Sequence, residues 1–314
     1  MIDAATGRAV MRWVARTACV LSLATAAATP ATADSSSPSL AAYYDRQMAI
    51  VNDAVYAWKG NARPQQVPFK AVQVGVGRNT YFLLTHDGVL LGFRDNFRMS
   101  LTLTTNVARF AAGQRGVLAI KTDATLWWIK GLSKDQHKIA DGVAAAAVGD
   151  GANYYITNAG ALFVRGKAHR GQYGDGRLKT TKHFVQTASD VAQITAHTGH
   201  AILRLRNGDV MGTGGNIYGP VGKHGLGDKA VRWSTIVSGA RAIATGSSHS
   251  LAILQDGTLM AWGREYGPEP ARIMAGVAAV AAGSSTTIVL KQDGSLWQWD
   301  QGETTPRPLI SEQK

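Results

Sequence analysis

Ile243-Ala-Thr-Gly-Ser-Ser-His-Ser-Leu-Ala-Ile-Leu-Gln-Asp-Gly-Thr-Leu-Met-Ala-Trp-Gly263 decides the fold, because about 37 residues later the chain writes it again as Val280-Ala-Ala-Gly-Ser-Ser-Thr-Thr-Ile-Val-Leu-Lys-Gln-Asp-Gly-Ser-Leu-Trp-Gln-Trp299. A fixed period in this range marks a repeat architecture, in which one supersecondary unit recurs and neighbours bury each other's apolar faces. Each copy alternates apolar residues around an Asp-Gly pair, with Leu251 and Ile253 before it and Leu259 and Ala261 after it. Alternation is the period of a strand, and Asp-Gly between strands signals a tight hairpin. The turn is expected to be type I′, with φ > 0 at both central residues. The repeating unit is therefore read as a hairpin and not a helix pair.

Working outward from that pair, earlier copies fall into register at Asp87-Gly88, Asp123-Ala124, Ala159-Gly160 and Asn207-Gly208, with a degenerate first copy at Asn52-Asp53. The anchors stand at 52, 87, 123, 159, 207, 256 and 293, separated by 35, 36, 36, 48, 49 and 37 residues. Seven units result, two of them with long insertions. An array of this kind has an edge problem, since an open stack of sheets exposes unpaired strands. Radial repetition solves it by closing the stack into a ring. The tail Thr305-Pro-Arg-Pro-Leu-Ile310 resembles the segment that precedes each complete unit, such as Pro268-Glu-Pro-Ala-Arg-Ile273, and the first unit lacks one of its own. The tail is expected to supply a strand to the first unit and clasp the ring.

The N-terminus reads as a secretory signal. Arg8, Arg12 and Arg16 precede the short apolar stretch 18–28, and Ala31-Thr-Ala33 is a small-x-small cleavage motif. The stretch is too short to span a bilayer as a mature anchor. The expected organisation is a signal peptide over residues 1–33 and a single domain over 34–314, exported to the periplasm or secreted. Cys19, the only cysteine, lies in the signal, so the mature chain can form no disulfide and no thiolate metal site.

The pattern Gly-x-x-His-Ser-Leu-Ala, Asp-Gly, aromatic-x-Trp-Gly resembles the regulator of chromosome condensation repeat family. It is carried by Gly199-His200-Ala201, Gly246-Ser-Ser-His249-Ser250 and Trp262-Gly263. A connecting motif of that family is matched by Gly166-Lys-Ala-His-Arg-Gly-Gln-Tyr-Gly174 and more loosely by Gly214-Gly-Asn-Ile-Tyr-Gly-Pro-Val-Gly222. The family His survives in two units and the closing Trp-Gly in one. The resemblance, over about residues 41–310, implies an all-β, seven-bladed propeller of four-stranded blades. It also implies a rigid disc that binds other proteins; the family's founder is a nucleotide-exchange factor for a small GTPase.

The residues themselves point to no catalysis. His197-Thr-Gly-His200 is a histidine pair at i, i+3 without a third ligand, so a structural role outweighs a metal site. Ser247-Ser-His249-Ser250 belongs to the repeat, and a nucleophile needs a base placed across space. Gly212-Thr-Gly-Gly-Asn216 fails both phosphate-loop spacings. No cofactor or metal is implied. Trp58, Phe93, Trp262 and Trp299 share one phase of the repeat and are assigned to packing between units; Trp127, Trp128 and Trp233 lie off that phase.

Charge is the remaining signal. The chain carries 33 Lys and Arg against 21 Asp and Glu; without Arg8, Arg12, Arg16 and Asp3 the balance is 30 to 20. The excess gathers in the two inserted units, at Arg165, Lys167, Arg170, Arg177, Lys179 and Lys182 and again at Lys223, Lys229 and Arg232. Long loops on a rigid scaffold are where binding residues tend to sit. Lys167, His169, Arg170, Tyr173, Arg177, Lys179, Lys182, Tyr218, Lys223, Lys229 and Arg232 are the expected partner-binding set, with the two tyrosines as apolar anchors. The expected function is a monomeric, non-enzymatic, exported module that recognises a protein with an acidic surface; nucleic acid or an anionic polymer fits the charge less well. An exchange-factor-like regulator of a small GTPase is the alternative, and an envelope polysaccharide enzyme a third.

Overall fold

Alternation becomes strand at every anchor. The computed structural model describes residues 39–94, 97–223, 227–300, 302–303 and 305–311, so the signal read at 1–33 lies outside the described residues. Seven four-stranded antiparallel sheets form, each an up-and-down meander in chain order. These are blades 1 to 7, spanning 40–66, 73–104, 107–140, 143–188, 191–237, 240–274 and 277–310. The first strand of each blade contacts that of the next, and blade 7 contacts blade 1, so the sheets close into a ring.

The first strands line an axial channel of about 330 Å³. Strands that converge on an axis have little room, which explains Ala111-Ala112, Ala146-Ala147 and Ala281-Ala282 on this lining. A Cβ added at Gly75 would stand 2.4 Å from the Phe110 ring. Second strands lie between two neighbouring blades and are buried on both faces, so Tyr81-Phe82-Leu83-Leu84 reads as a continuous apolar run without alternation. The inter-unit aromatics are buried as their phase requires: Trp58, Phe93, Trp262 and Trp299 are at most 4% exposed.

Two expectations need correction. The seven anchors occupy the turns between second and third strands, but only Asn52-Asp53 has both central residues at positive φ (49° and 61°). Elsewhere the loop is one residue longer. In blade 2, Thr85 N–H bonds Val89 O at 3.0 Å and Gly88 N–H bonds Thr85 O at 3.1 Å, with Gly88 alone left-handed at φ 77°. That is a type I turn followed by one left-handed residue. The Asp or Asn supplies a side-chain acceptor there: the carboxylate of Asp256 takes Thr258 N–H at 2.8 Å and that of Asp293 takes Ser295 N–H at 2.9 Å.

The clasp is the second correction. Arg307–Ile310 pairs with the third strand of its own blade 7, in the register Leu296↔Ile310. Blade 1 fills its fourth position itself with Gln65–Gln66, through Tyr56↔Gln66. So short and polar a strand leaves no alternation to read, and no vacancy for the tail. The ring closes by packing instead, with Trp58 of blade 1 against Ile288 and Leu296 of blade 7. Trp58 Nε1 donates to Gln298 Oε1 at 2.7 Å, and Arg307 donates to Asn61 Oδ1 at 2.6 Å.

Candidate functional site

A meander places its 1→2 and 3→4 connections at one end and its 2→3 turns and 4→1 connectors at the other, so each side of the ring has one kind of loop. On the turn face the chain is tied blade to blade. Val277 N–H bonds the Gly257 carbonyl of the preceding blade's turn at 2.9 Å, and Ala240 and Gly208 do the same at 2.9 Å. The described turns and connectors there carry Asp53, Asp87, Asp123, Asp141, Asp190, Asp209, Asp256 and Asp293 against Lys70 and Arg206. The loop face has the opposite charge, with Arg63, Arg78, Arg94, Arg98, Arg115, Lys134, Lys167, Arg170, Arg177, Lys179, Lys223 and Arg264 against Asp45, Asp135, Asp150, Asp175, Asp228, Glu265 and Glu303.

The two inserted loops belong to this face, as the 3→4 connections of blades 4 and 5. Each crosses onto the following blade. Gly171 and Gly174 of the first loop lie against the fourth strand of blade 5, where Thr213 Oγ1 donates to Gly171 O at 2.7 Å and Trp233 N–H to Gly174 O at 3.0 Å. In the second loop Asn216 holds the turn with both ends of its amide, donating to Gly222 O at 3.0 Å and accepting Val221 N–H at 3.1 Å. Pro220 O then receives Trp262 Nε1 and Ser250 Oγ, each at 2.8 Å, from blade 6. The loops are long in sequence yet anchored through their own backbone.

This path sorts the expected residues. His169 and Arg170 meet Ile217, Tyr218 and Lys229 around a cavity of about 490 Å³, so the two loops do come together. Lys167, His169 and Arg170 also edge a neighbouring cavity of about 300 Å³ beside Asp150 and His197. Tyr173 is not an anchor: it is fully buried, its hydroxyl donating to Gly166 O at 2.7 Å and accepting Thr181 N–H at 3.1 Å, which fixes the root of the loop. Arg177 pairs with Asp175 at 2.8 Å and Lys223 with Glu269, so both spend charge internally. Lys179 and Arg232 are exposed, Arg232 beside Gly176. Lys182 stands away from the loop centre, in a groove with Arg115, Lys130 and Arg165. Tyr218 is 46% exposed with the Arg264 guanidinium 4.5 Å over its ring.

Sequence reading missed Ile217, 71% exposed, and Arg264, which comes from blade 6. Ile217 had a signal, an apolar residue beside Tyr218 in a polar Gly-rich loop; Arg264, distant in sequence, had none. All large exposed hydrophobic residues described, Tyr44, Met99, Leu178, Ile217 and Tyr218, lie on the loop face.

The histidines are ties between blades. His200 Nε2 meets Ser250 Oγ at 3.1 Å and His249 Nε2 meets Thr287 Oγ1 at 2.9 Å, each in the next blade. Ser250 donates to Pro220 O and so is committed to structure. His197 stacks on Tyr43 with ring centroids 5.2 Å apart, its Nδ1 2.8 Å from Thr198 Oγ1. Tyr43 bonds Asp150, and burial first, then that bond, push its phenol above the usual range. Burial drives His197 and His249 down to about 4 and His200 to about 3, so all three are neutral at pH 7. Among the described residues no group of three or more His, Cys, Asp or Glu could hold a metal ion, and no helix is long and apolar enough to cross a membrane.

Blade 6 carries the decisive likeness, because residues 240–266 match the regulator of chromosome condensation (RCC1) repeat model. Over those residues blade 6 is similar to an RCC1 repeat. The ring around it is similar in fold to several solved structures. Prp20p from Saccharomyces cerevisiae, whose structure was described with its binding properties to Gsp1p and histones, superposes with a TM-score of 0.70 at 17% identity, covering 80% of this chain and 81% of that one. Human WBSCR16 gives a TM-score of 0.57 at 16% identity, over 87% and 81%. The ectodomain of the Arabidopsis thaliana receptor kinase ACR4 gives 0.58 at 12%, over 88% and 98%. At these identities the likeness is one of fold. No curated protein matches the chain.

Proposed function

We propose that this propeller is a non-enzymatic, exported protein-binding module whose loop face engages an acidic partner. One observation carries the reading: every large exposed hydrophobic residue described lies on the loop face, which is also the cationic face. Apolar anchors ringed by charge are the composition of a recognition patch, the anchors supplying affinity and the charges orientation and on-rate. The centre of the patch is Ile217 and Tyr218, flanked by His169, Arg170 and Lys229. Burial of both side chains against a partner contributes about 2 kcal/mol or more, the usual scale of a hot spot. Export rests on Arg8, Arg12, Arg16 and Ala31-Thr-Ala33; an N-terminal sequence beginning at Asp34, from protein recovered outside the cytoplasm, is the expected result.

Affinity capture from envelope and host lysates, eluted along a salt gradient, tests the binding. A stoichiometric acidic protein should stay bound to the unaltered chain, leave at least about tenfold more readily from Ile217→Ala/Tyr218→Ala, and be unaffected by Asp256→Asn/Asp293→Asn on the turn face. Equal retention by all three would remove the loop face from the reading. Accelerated nucleotide release from a captured small GTPase would replace a binding module with a regulator, the alternative that the repeat-family resemblance implies.

A further inference from the structure

Each seam between blades opens onto the loop face, and most are covered by a 3→4 loop. Blades 4, 5 and 6 send theirs forward: Gly171 onto blade 5, Pro220 onto blade 6, and Tyr266 to the Trp299 indole of blade 7. Blades 2 and 3 fold theirs back. Phe97 packs on Tyr81 and Phe93 in the cluster shared with blade 1, and Leu132 lies against Gly92 and Leu103 of blade 2. Blade 3 has Lys130 where blades 4, 5 and 6 have Gly166, Gly214 and Gly263 at φ 112°, 111° and 110°, so its chain leaves the strand by another route. The seam between blades 3 and 4 is therefore crossed by neither adjoining loop. It remains a groove of about 430 Å³.

Three blades depart from the aromatic rule, with Ile129 in blade 3 and Thr213 in blade 5 at the shared position, and only blade 4 places a charge there. By strand register, the position held by Trp58, Phe93, Trp262 and Trp299 is Arg165 in blade 4. Its guanidinium is half-buried, 4.7 Å above the Phe184 ring, and desolvation weakens its hold on the proton. Arg115, Lys130 and Lys182 join it in the groove, and none of the four makes an ion pair among the described residues. The one carboxylate there, Asp150, already accepts the Tyr43 hydroxyl. A cation drawn partly out of water without an anion is a cost that a ligand would relieve. Trp128 forms part of the wall and offers a flat apolar surface beside the charges.

We propose that the groove between blades 3 and 4 is a binding site for a phosphate group, free or as the ester of a small organic molecule, gripped by Arg165 and Lys182. Four cations exceed what a single carboxylate can neutralise, and a guanidinium fork matches two phosphate oxygens. The site is separate from the Ile217–Tyr218 patch and stands or falls without it. An NMR titration at constant ionic strength, following the Trp128 indole and the Asn153 amide, should show saturable shifts with inorganic phosphate and much weaker ones with acetate. Tighter binding of phenyl phosphate would assign the ester, and equal binding the free anion. Arg165→Gln and, at an exposed position that leaves packing intact, Lys182→Gln should each weaken binding at least about fivefold, while Lys179→Gln outside the groove should not. Shifts that fail to saturate, equal affinity for acetate, or unchanged affinity in both groove variants would each overturn the proposal.

Discussion

The two faces of this ring are built from the same strands and differ in what their loops do. On the turn face the loops between second and third strands are two or three residues long, Asp123, Asn207, Asp256 and Asp293 cap their own backbone, and in blades 2 to 6 the turn carbonyl is bonded by the next blade. Charge there is acidic and serves local geometry. On the loop face the longest connections lie over neighbouring blades, are anchored from beneath by buried groups such as Trp262, Tyr173 and Asn216, and turn cations and apolar side chains outward. Spending turn chemistry on one side leaves the other free to vary, which is how a repeat scaffold gains a specific surface without losing its frame.

The comparison can be broken first at its support. Trp262→Ala removes a fully buried indole and its bond to Pro220 O. It should cost about 3–5 kcal/mol in chemical denaturation and also weaken partner capture, because the Ile217–Tyr218 loop rests on that carbonyl. A loss confined to stability, with capture intact, would uncouple the loop from its anchor.

Acid should distinguish the faces next, since they titrate in different windows. His197, His200 and His249, buried beneath the loop face, have folded pKa values of about 4, 3 and 4 against 6.5 for the free group. Between these limits the unfolded chain binds more protons, so stability is complete above about pH 6.5 and falls as pH drops toward 4, by up to about 3 kcal/mol per histidine. His200→Gln should flatten that stretch of the curve. On the turn face Asp293 is held at about 2 by the Ser295 hydroxyl and N–H, and Asp123 and Asp256 are lowered by equivalent bonds to Thr125 and Thr258. Their contribution is present above the carboxylate's ordinary range and is lost as pH falls through it toward 2. Asp293→Asn should alter only this lower limb. A single transition moved by both substitutions would show that the faces do not unfold separately in acid.

The smallest effect sits within the turn face. Blade 3 places Ala124 at φ 62°, where five other blades have glycine. Ala124→Gly removes left-handed strain and should raise stability by up to about 1 kcal/mol, offset in part by the added freedom of the unfolded chain. No gain in melting temperature would mean that Ala124 packs well enough to offset its backbone.

Much of the frame was legible because it repeats. The period and the Asp-Gly turns set the number of blades, and the phase of Trp58, Phe93, Trp262 and Trp299 marked the packing between them. Blade 1 was misread where its fourth strand, Gln65–Gln66, shows neither alternation nor apolar residues, and the turns were misread because the three-residue and two-residue loops share an Asp-Gly signature. The candidate site was legible only in part. Local charge density exposed the inserted loops, but it could not separate Tyr173, which points into the blade, from Tyr218, which points out.

What the sequence determined by itself was the architecture, for alternation and turn residues act over a few positions and recur until they are unambiguous. What only tertiary structure decided was the surface. Arg115, Lys130, Arg165 and Lys182 gather because blade 3 folds its loop backward and blade 4 sends its loop forward, and Arg264 reaches Tyr218 because two blades are adjacent. Such juxtapositions depend on which way a loop leaves its strand, set by contacts among residues far apart in the chain, and no local pattern encodes them.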